Sequence, residues 1–155
     1  MKSKSISRMI AVTPMMIVCV VLALGASVVA QGPGTGPCSN RTLFGNYGWS
    51  SQGQVLPAPG VALPFTSTGV ANFDGKGNVS WLEHTVVNGE QLGADWTPST
   101  SGTYTVNPDC TGKMVATTPN SPVPLNIFFS LVQQGKQFYT VANGHAISGV
   151  YTRVD

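Results

Sequence analysis

The chain has 155 residues, of which 42% are apolar and only 9% charged, with 18 glycines and 11 prolines. That is the size of one domain. It is too apolar for a disordered tail and too weakly charged for a nucleic-acid binder that works by charge, so no nucleic-acid partner is expected.

The first thirty residues stand apart. Lys2, Lys4 and Arg8 give a positive start, Met9 to Val29 carry no charge, and Val28-Val29-Ala30 puts small side chains where a signal peptidase reads. This layout predicts a signal peptide over 1–30, cleaved before Gln31, and export to the periplasm or beyond the cell. The alternative is an uncleaved membrane anchor, since the apolar run is long enough to span a bilayer. Pro14, Gly25 and the Val-x-Ala ending favour cleavage, after which no membrane contact is expected. Without Lys2, Lys4 and Arg8, five cations face six acids, a net charge of −1 in place of the +2 of the whole chain. A basic surface for phosphate or membrane attraction is excluded.

Residues 31–40 open as Gln-Gly-Pro-Gly-Thr-Gly-Pro and read as a flexible linker, with the barrel domain over 41–155 and folding beginning near Cys38. Cys19 leaves with the leader. Cys38 and Cys110 remain, an even pair in an oxidising compartment, and one disulfide is the expectation. No Cys-x-x-Cys occurs and no histidine lies close to either cysteine, which argues against a metal or redox pair.

Gly and Pro punctuate everything beyond. The longest stretch free of both is Asn78 to Asn88, eleven residues, leaving almost no room for a helix of ordinary length. Leu43–Gln52 reads as a strand, and residues 53–66, with Pro57, Pro59 and Pro64, as a loop. Thr68–Phe73 and Val79–Val87 flank the turn Asp74-Gly75-Lys76-Gly77-Asn78. Asn88-Gly89 is the strongest short hairpin signal, Asp95–Thr97 a possible short strand, and Gly102–Val106 a clear one. Lys113–Thr118, Leu125–Gln133, Gln137–Ala142 and Ala146–Val154 complete the series. Residues 119–124, Gly135-Lys136 and Asn143-Gly144 separate these last four. Tight connections imply antiparallel neighbours. The fold class is all-β, a single antiparallel, mostly up-and-down β-barrel of about eight strands, because closure hides the edges. A two-sheet β-sandwich is the alternative.

Three pieces occur in order: Leu43-Phe44-Gly45-Asn46-Tyr47-Gly48-Trp49, Phe73-Asp74-Gly75-Lys76-Gly77-Asn78, and Gly102-Thr103-Tyr104-Thr105-Val106-Asn107-Pro108-Asp109-Cys110-Thr111-Gly112. The series resembles a family of small secreted bacterial proteins of uncharacterised function, grouped with the calycin-like, allene oxide cyclase-like barrels. The resemblance spans most of residues 41–153 and implies an antiparallel barrel. No segment matches the cyclases' active-site positions, so it implies no catalytic residue here.

Few residues carry chemistry. Asn72 to Glu83 has EF-hand spacing, but Lys76 stands where a carboxylate should coordinate, so a hairpin turn is the expectation and no metal. No Gly-x-Ser-x-Gly, Walker or dinucleotide pattern occurs, so no cofactor is expected. Glu83 and His84 face opposite ways on one strand, so one of them points into the barrel. The simpler expectation is that the strand lies at an edge or mouth and wets both. Buried in an apolar pocket instead, Glu83 is the candidate general acid or base. Trp49, Trp81, Tyr104, Phe129 and Phe138 fit strand positions. Most belong to a core, and a minority could line a cavity for a small apolar ligand.

Three functions follow. The first is a non-enzymatic barrel binding a small apolar ligand. The second is a cyclase- or isomerase-type enzyme acting through Glu83. The third is a filled barrel, dry inside, acting through its surface and the 53–66 loop. Whether aromatic side chains fill the interior separates the first two from the third.

Overall fold

The computed structural model describes residues 37–121 and 123–154. The signal peptide expected over 1–30 and the linker residues 31–36 lie outside the described residues. Among the described residues no helix is long and apolar enough to cross a membrane.

The described chain is all-β. Its strands are β1 (Phe44–Ala58), β2 (Val61–Asp74), β3 (Val79–Val87), β4 (Glu90–Gln91), β5 (Thr97–Pro98), β6 (Ser101–Val106), β7 (Thr111–Thr117), β8 (Leu125–Val132), β9 (Gln137–Ala142) and β10 (Ala146–Arg153). They form one antiparallel sheet in the order β4-β3-β2-β1-β10-β9-β8-β7-β6, with β5 also paired to β3. Consecutive long strands are neighbours except β3 and β6, which lie towards opposite ends of the sheet order, and β1 pairs with β10, joining the first long strand to the last. This is the up-and-down order expected, curled into a barrel-like shape.

The curl is completed at one end only. There Asn78 bridges Thr103, and the Tyr104 N–H donates to the Gly77 carbonyl at 2.8 Å. Gly102 permits the approach, since a Cβ on it would lie 2.5 Å from the Val79 carbonyl oxygen. Towards the other end β3 pairs with β4 and β5 instead of β6.

The turn that makes this closure is built by one carboxylate. Asp74 Oδ1 accepts from the backbone N–H groups of Lys76, Gly77 and Asn78, and Oδ2 from the Asn78 side chain. The Asn78 side chain first, then the amides of Asn78, Lys76 and Gly77, hold the Asp74 carboxyl down at about 2. The EF-hand spacing thus serves a turn, as expected.

The 53–66 segment is corrected. It is not a loop: β1 and β2 run on through it as a hairpin turning at Pro59-Gly60, with Gln54 paired to Pro64 and Val55 to Leu63. Beyond Gln54, β1 has no partner in β10, and before Phe65, β2 has none in β3. The ribbon is therefore an edge on both sides, where a proline costs no ladder hydrogen bond.

The closed end is plugged. Cys38 is bonded to Cys110 with Cα atoms 5.0 Å apart, confirming the expected disulfide. It draws residues 38–43 across the base, so Cys38 to Asn40 already belong to the fold and not to the linker. Asn40 Oδ1 accepts from the Val106 N–H, the buried Tyr104 hydroxyl bonds the Asn40 and Leu43 carbonyls, and Leu43 is fully buried. Above the plug, Tyr47, Phe73, Phe129, Phe138 and Tyr151 pack ring on ring in a core that also buries Met114, with centroid spacings of 4.5 Å for Phe138–Tyr151 and 5.3 Å for Tyr47–Phe73. Burial pushes the Tyr104 hydroxyl up to about 12, with the nearby Asp74 charge adding to it.

Candidate functional site

Inward-facing residues alternate with outward ones along each strand, so the register stacks them in layers. The lowest layer is the aromatic floor just described. One register row rises out of that floor: from Phe138 of β9 and Tyr151 of β10 it runs through Trp49 of β1 and Gly69 of β2 to Glu83 of β3. The next layer carries hydroxyls: Thr85, Ser67 and Ser51 are cross-strand partners, and Ser67 Oγ lies 2.8 Å from Thr85 Oγ1. Above the floor the barrel is hollow. A cavity of about 590 Å³ opens there, within the roughly 300–1,000 Å³ usual for small-molecule sites. Its upper wall is apolar, with Val55, Phe65, Leu125, Ile127, Ala142 and Ile147 among its residues. Leu56 and Pro57 of the hairpin, Leu92, Val123 and His145 form the rim, where the Leu56 N–H donates to His145 Nδ1 at 3.2 Å.

The expected ligand residues divide between the two halves. Trp49 and Trp81 line the cavity. Tyr104, Phe129 and Phe138 do not. Tyr104 seals the base, and Phe129 and Phe138 pack against each other in the floor at 5.5 Å. All five point inward as their strand positions require. Height in the barrel, set by strand stagger, decides which meet empty space.

Glu83 points inward with Trp81 and Thr85 and is only 6% exposed. The expectation that both Glu83 and His84 are wetted is thus corrected. His84 alone faces out, its Nδ1 2.7 Å from the Asp95 carbonyl oxygen. The reason is β5, which pairs beside Glu83 and covers what would otherwise be an edge. Burial pushes the Glu83 pKa up, while the side chains of Thr118, Trp81 and Asn120 work against it. Trp81 Nε1 and Asn120 Nδ2 are close enough to favour its charged form, yet neither completes a hydrogen bond, and both are buried without a partner. Trp49 Nε1 is a third such donor. Gly69 explains its position: a Cβ there would lie 3.0 Å from Trp49 Nε1 and 3.1 Å from the Glu83 Cα. Without that Cβ, the Trp49 indole lies over Gly69 towards Glu83. Its ring stacks on Tyr151 at 5.4 Å, and the Tyr151 hydroxyl is pushed far up by burial and by the Glu83 charge.

Sequence reasoning passed over Thr118, Asn120 and Tyr151. Both follow the end of β7: Thr118 closes the strand expected over Lys113–Thr118, and Asn120 lies in the connection expected over 119–124. Tyr151 faces Trp49 only through the β1–β10 pairing. Among the described residues no cluster of His, Cys, Asp and Glu is arranged to hold a metal. No family model, curated protein or solved structure matches the chain.

Proposed function

We propose that the protein is an exported barrel that binds a small, largely apolar ligand in its open half, without catalysis. The observation that carries this reading is the cavity itself, apolar-walled and floored by packed aromatic rings. The disulfide agrees with an oxidising location, periplasmic or extracellular. Membership of the allene oxide cyclase-like barrels belongs to the same proposal and rests on the sequence resemblance alone.

The uncharged fluorophore N-phenyl-1-naphthylamine tests it. Its emission is expected to rise on binding with a Kd on the order of 10 μM, near what about 0.4 kcal/mol per heavy atom gives. Ser51→Phe/Ala142→Trp fills the cavity from two of its strands, β1 and β9, and is expected to weaken binding by roughly tenfold or more while the protein stays folded. Equal binding by this variant, or none by the wild type, contradicts the reading.

One observation favours a second reading, a cyclase- or isomerase-type enzyme. Glu83 is a buried carboxyl at the cavity floor with a raised pKa, the environment that poises a general acid or base. Its mark is turnover lost in Glu83→Gln with dye affinity unchanged. The filled-barrel alternative finds its premise in the lower half of the barrel and not in the upper.

A further inference from the structure

Among the described residues Glu83 is a charge-bearing group with no counter-charge. No lysine or arginine is among the cavity's lining residues. The described cations lie elsewhere. Arg153 bonds the Tyr47 hydroxyl at the plugged end, Lys113 sits over Phe128 on the outer face, and Arg41, Lys76 and Lys136 are exposed. A carboxylate in an apolar cavity is costly unless paired. The surrounding side chains of Thr118, Trp81 and Asn120 ease that cost but bring no charge. The cavity-lining groups beside Glu83 include the aromatic side chains of Trp49, Trp81 and Tyr151, none of which carries a charge that would compete for a cation.

We propose that the cavity takes an amphipathic amine, with its apolar body against the upper wall and its protonated nitrogen on the Glu83 carboxylate beside Trp49, Trp81 and Tyr151. This rests on the reading of the cavity as a binding site and names the class of ligand. A carboxylate-headed ligand would meet a like charge there and find no basic side chain. A neutral alcohol would gain one hydrogen bond and no charge pairing.

The pH dependence follows from the same geometry. Facing Glu83 are Trp49 from β1, Gly69 from β2, Thr97 from β5, Tyr151 from β10, and Thr118 and Asn120 beyond β7. Of these only Tyr151 titrates, far above neutrality, and His145 lies at the rim. Amine binding is therefore lost as the pH falls through the raised pKa of Glu83.

Calorimetric titration with three ligands sharing one tail tests the proposal: decylammonium, 1-decanol and decanoate, each below its micelle-forming concentration at pH 7.5. Decylammonium is expected to bind at least ~10-fold tighter than decanol, with decanoate weakest. In Glu83→Gln the amine falls to the level of the alcohol in the same variant, so the head-group preference disappears. This variant removes a lone buried carboxylate and is expected to melt no lower than the wild type at neutral pH. The comparison of head groups in the wild type stands even if it does not. An amine no tighter than the alcohol, an amine preference that survives Glu83→Gln, or decanoate binding tightest overturns the proposal and leaves the cavity reading intact. Failure of all three ligands and of the dye overturns both.

Discussion

Phe138→Ala is expected to lower the free energy of unfolding by about 4 kcal/mol, the cost typical of deleting a fully buried ring. Phe138 has no exposed surface and touches Tyr47, Phe73, Phe129 and Tyr151, with the Tyr151 ring stacked on it at 4.5 Å. It is the centre of the packed half, so its removal leaves a void that no single neighbour can fill. Urea unfolding followed by far-UV circular dichroism measures the loss. Ile127→Ala at the cavity wall is expected to cost less, about 1–2 kcal/mol, because one side of that residue already faces empty space. Equal costs at the two positions would mean that the two halves of the barrel are packed alike.

Loss of the Cys38–Cys110 bond is expected to cost a similar amount. The bond closes a loop of 72 residues in sequence separation, and the chain-entropy relation gives about 4 kcal/mol for such a loop. The structural consequence is local. Releasing Cys38 frees the 38–43 plug, which buries Leu43 and satisfies the Tyr104 hydroxyl and the Val106 N–H. Cys38→Ala/Cys110→Ala, compared with the wild type by urea unfolding, checks the magnitude. A loss below about 1 kcal/mol would show that the plug holds without its tether.

The strands were legible because their signals are local. Asn88-Gly89 turns with φ of 52° and 84°, and Gly144 with 80°, as hairpin glycines and asparagines should. Alternation put Glu83 and His84 on opposite faces of one strand, and cysteine arithmetic paired Cys38 with Cys110. The failures have physical causes. Three prolines hid a ribbon whose strands are edges on both sides, where proline is harmless. That one of Glu83 and His84 faces inward was legible, but which one was not, and the burial of Glu83 depends on β5, a two-residue strand. Its neighbours Thr118 and Asn120 come from a segment more than thirty residues on. Face follows from parity in the sequence. Height in the barrel follows from the stagger of all the strands together, so nothing local separates Phe138 in the floor from Trp49 in the cavity.

The central claim is a barrel packed below Glu83 and open above it. Methyl nuclear magnetic resonance of the protein titrated with N-phenyl-1-naphthylamine tests it most directly. The account expects the methyl signals of Ile127, Ala142 and Ile147 to shift on saturation, while those of Leu43, Ala71 and Met114 stay in place. Shifts confined to Val141 on the outer face, or spread through the packed half, would contradict it.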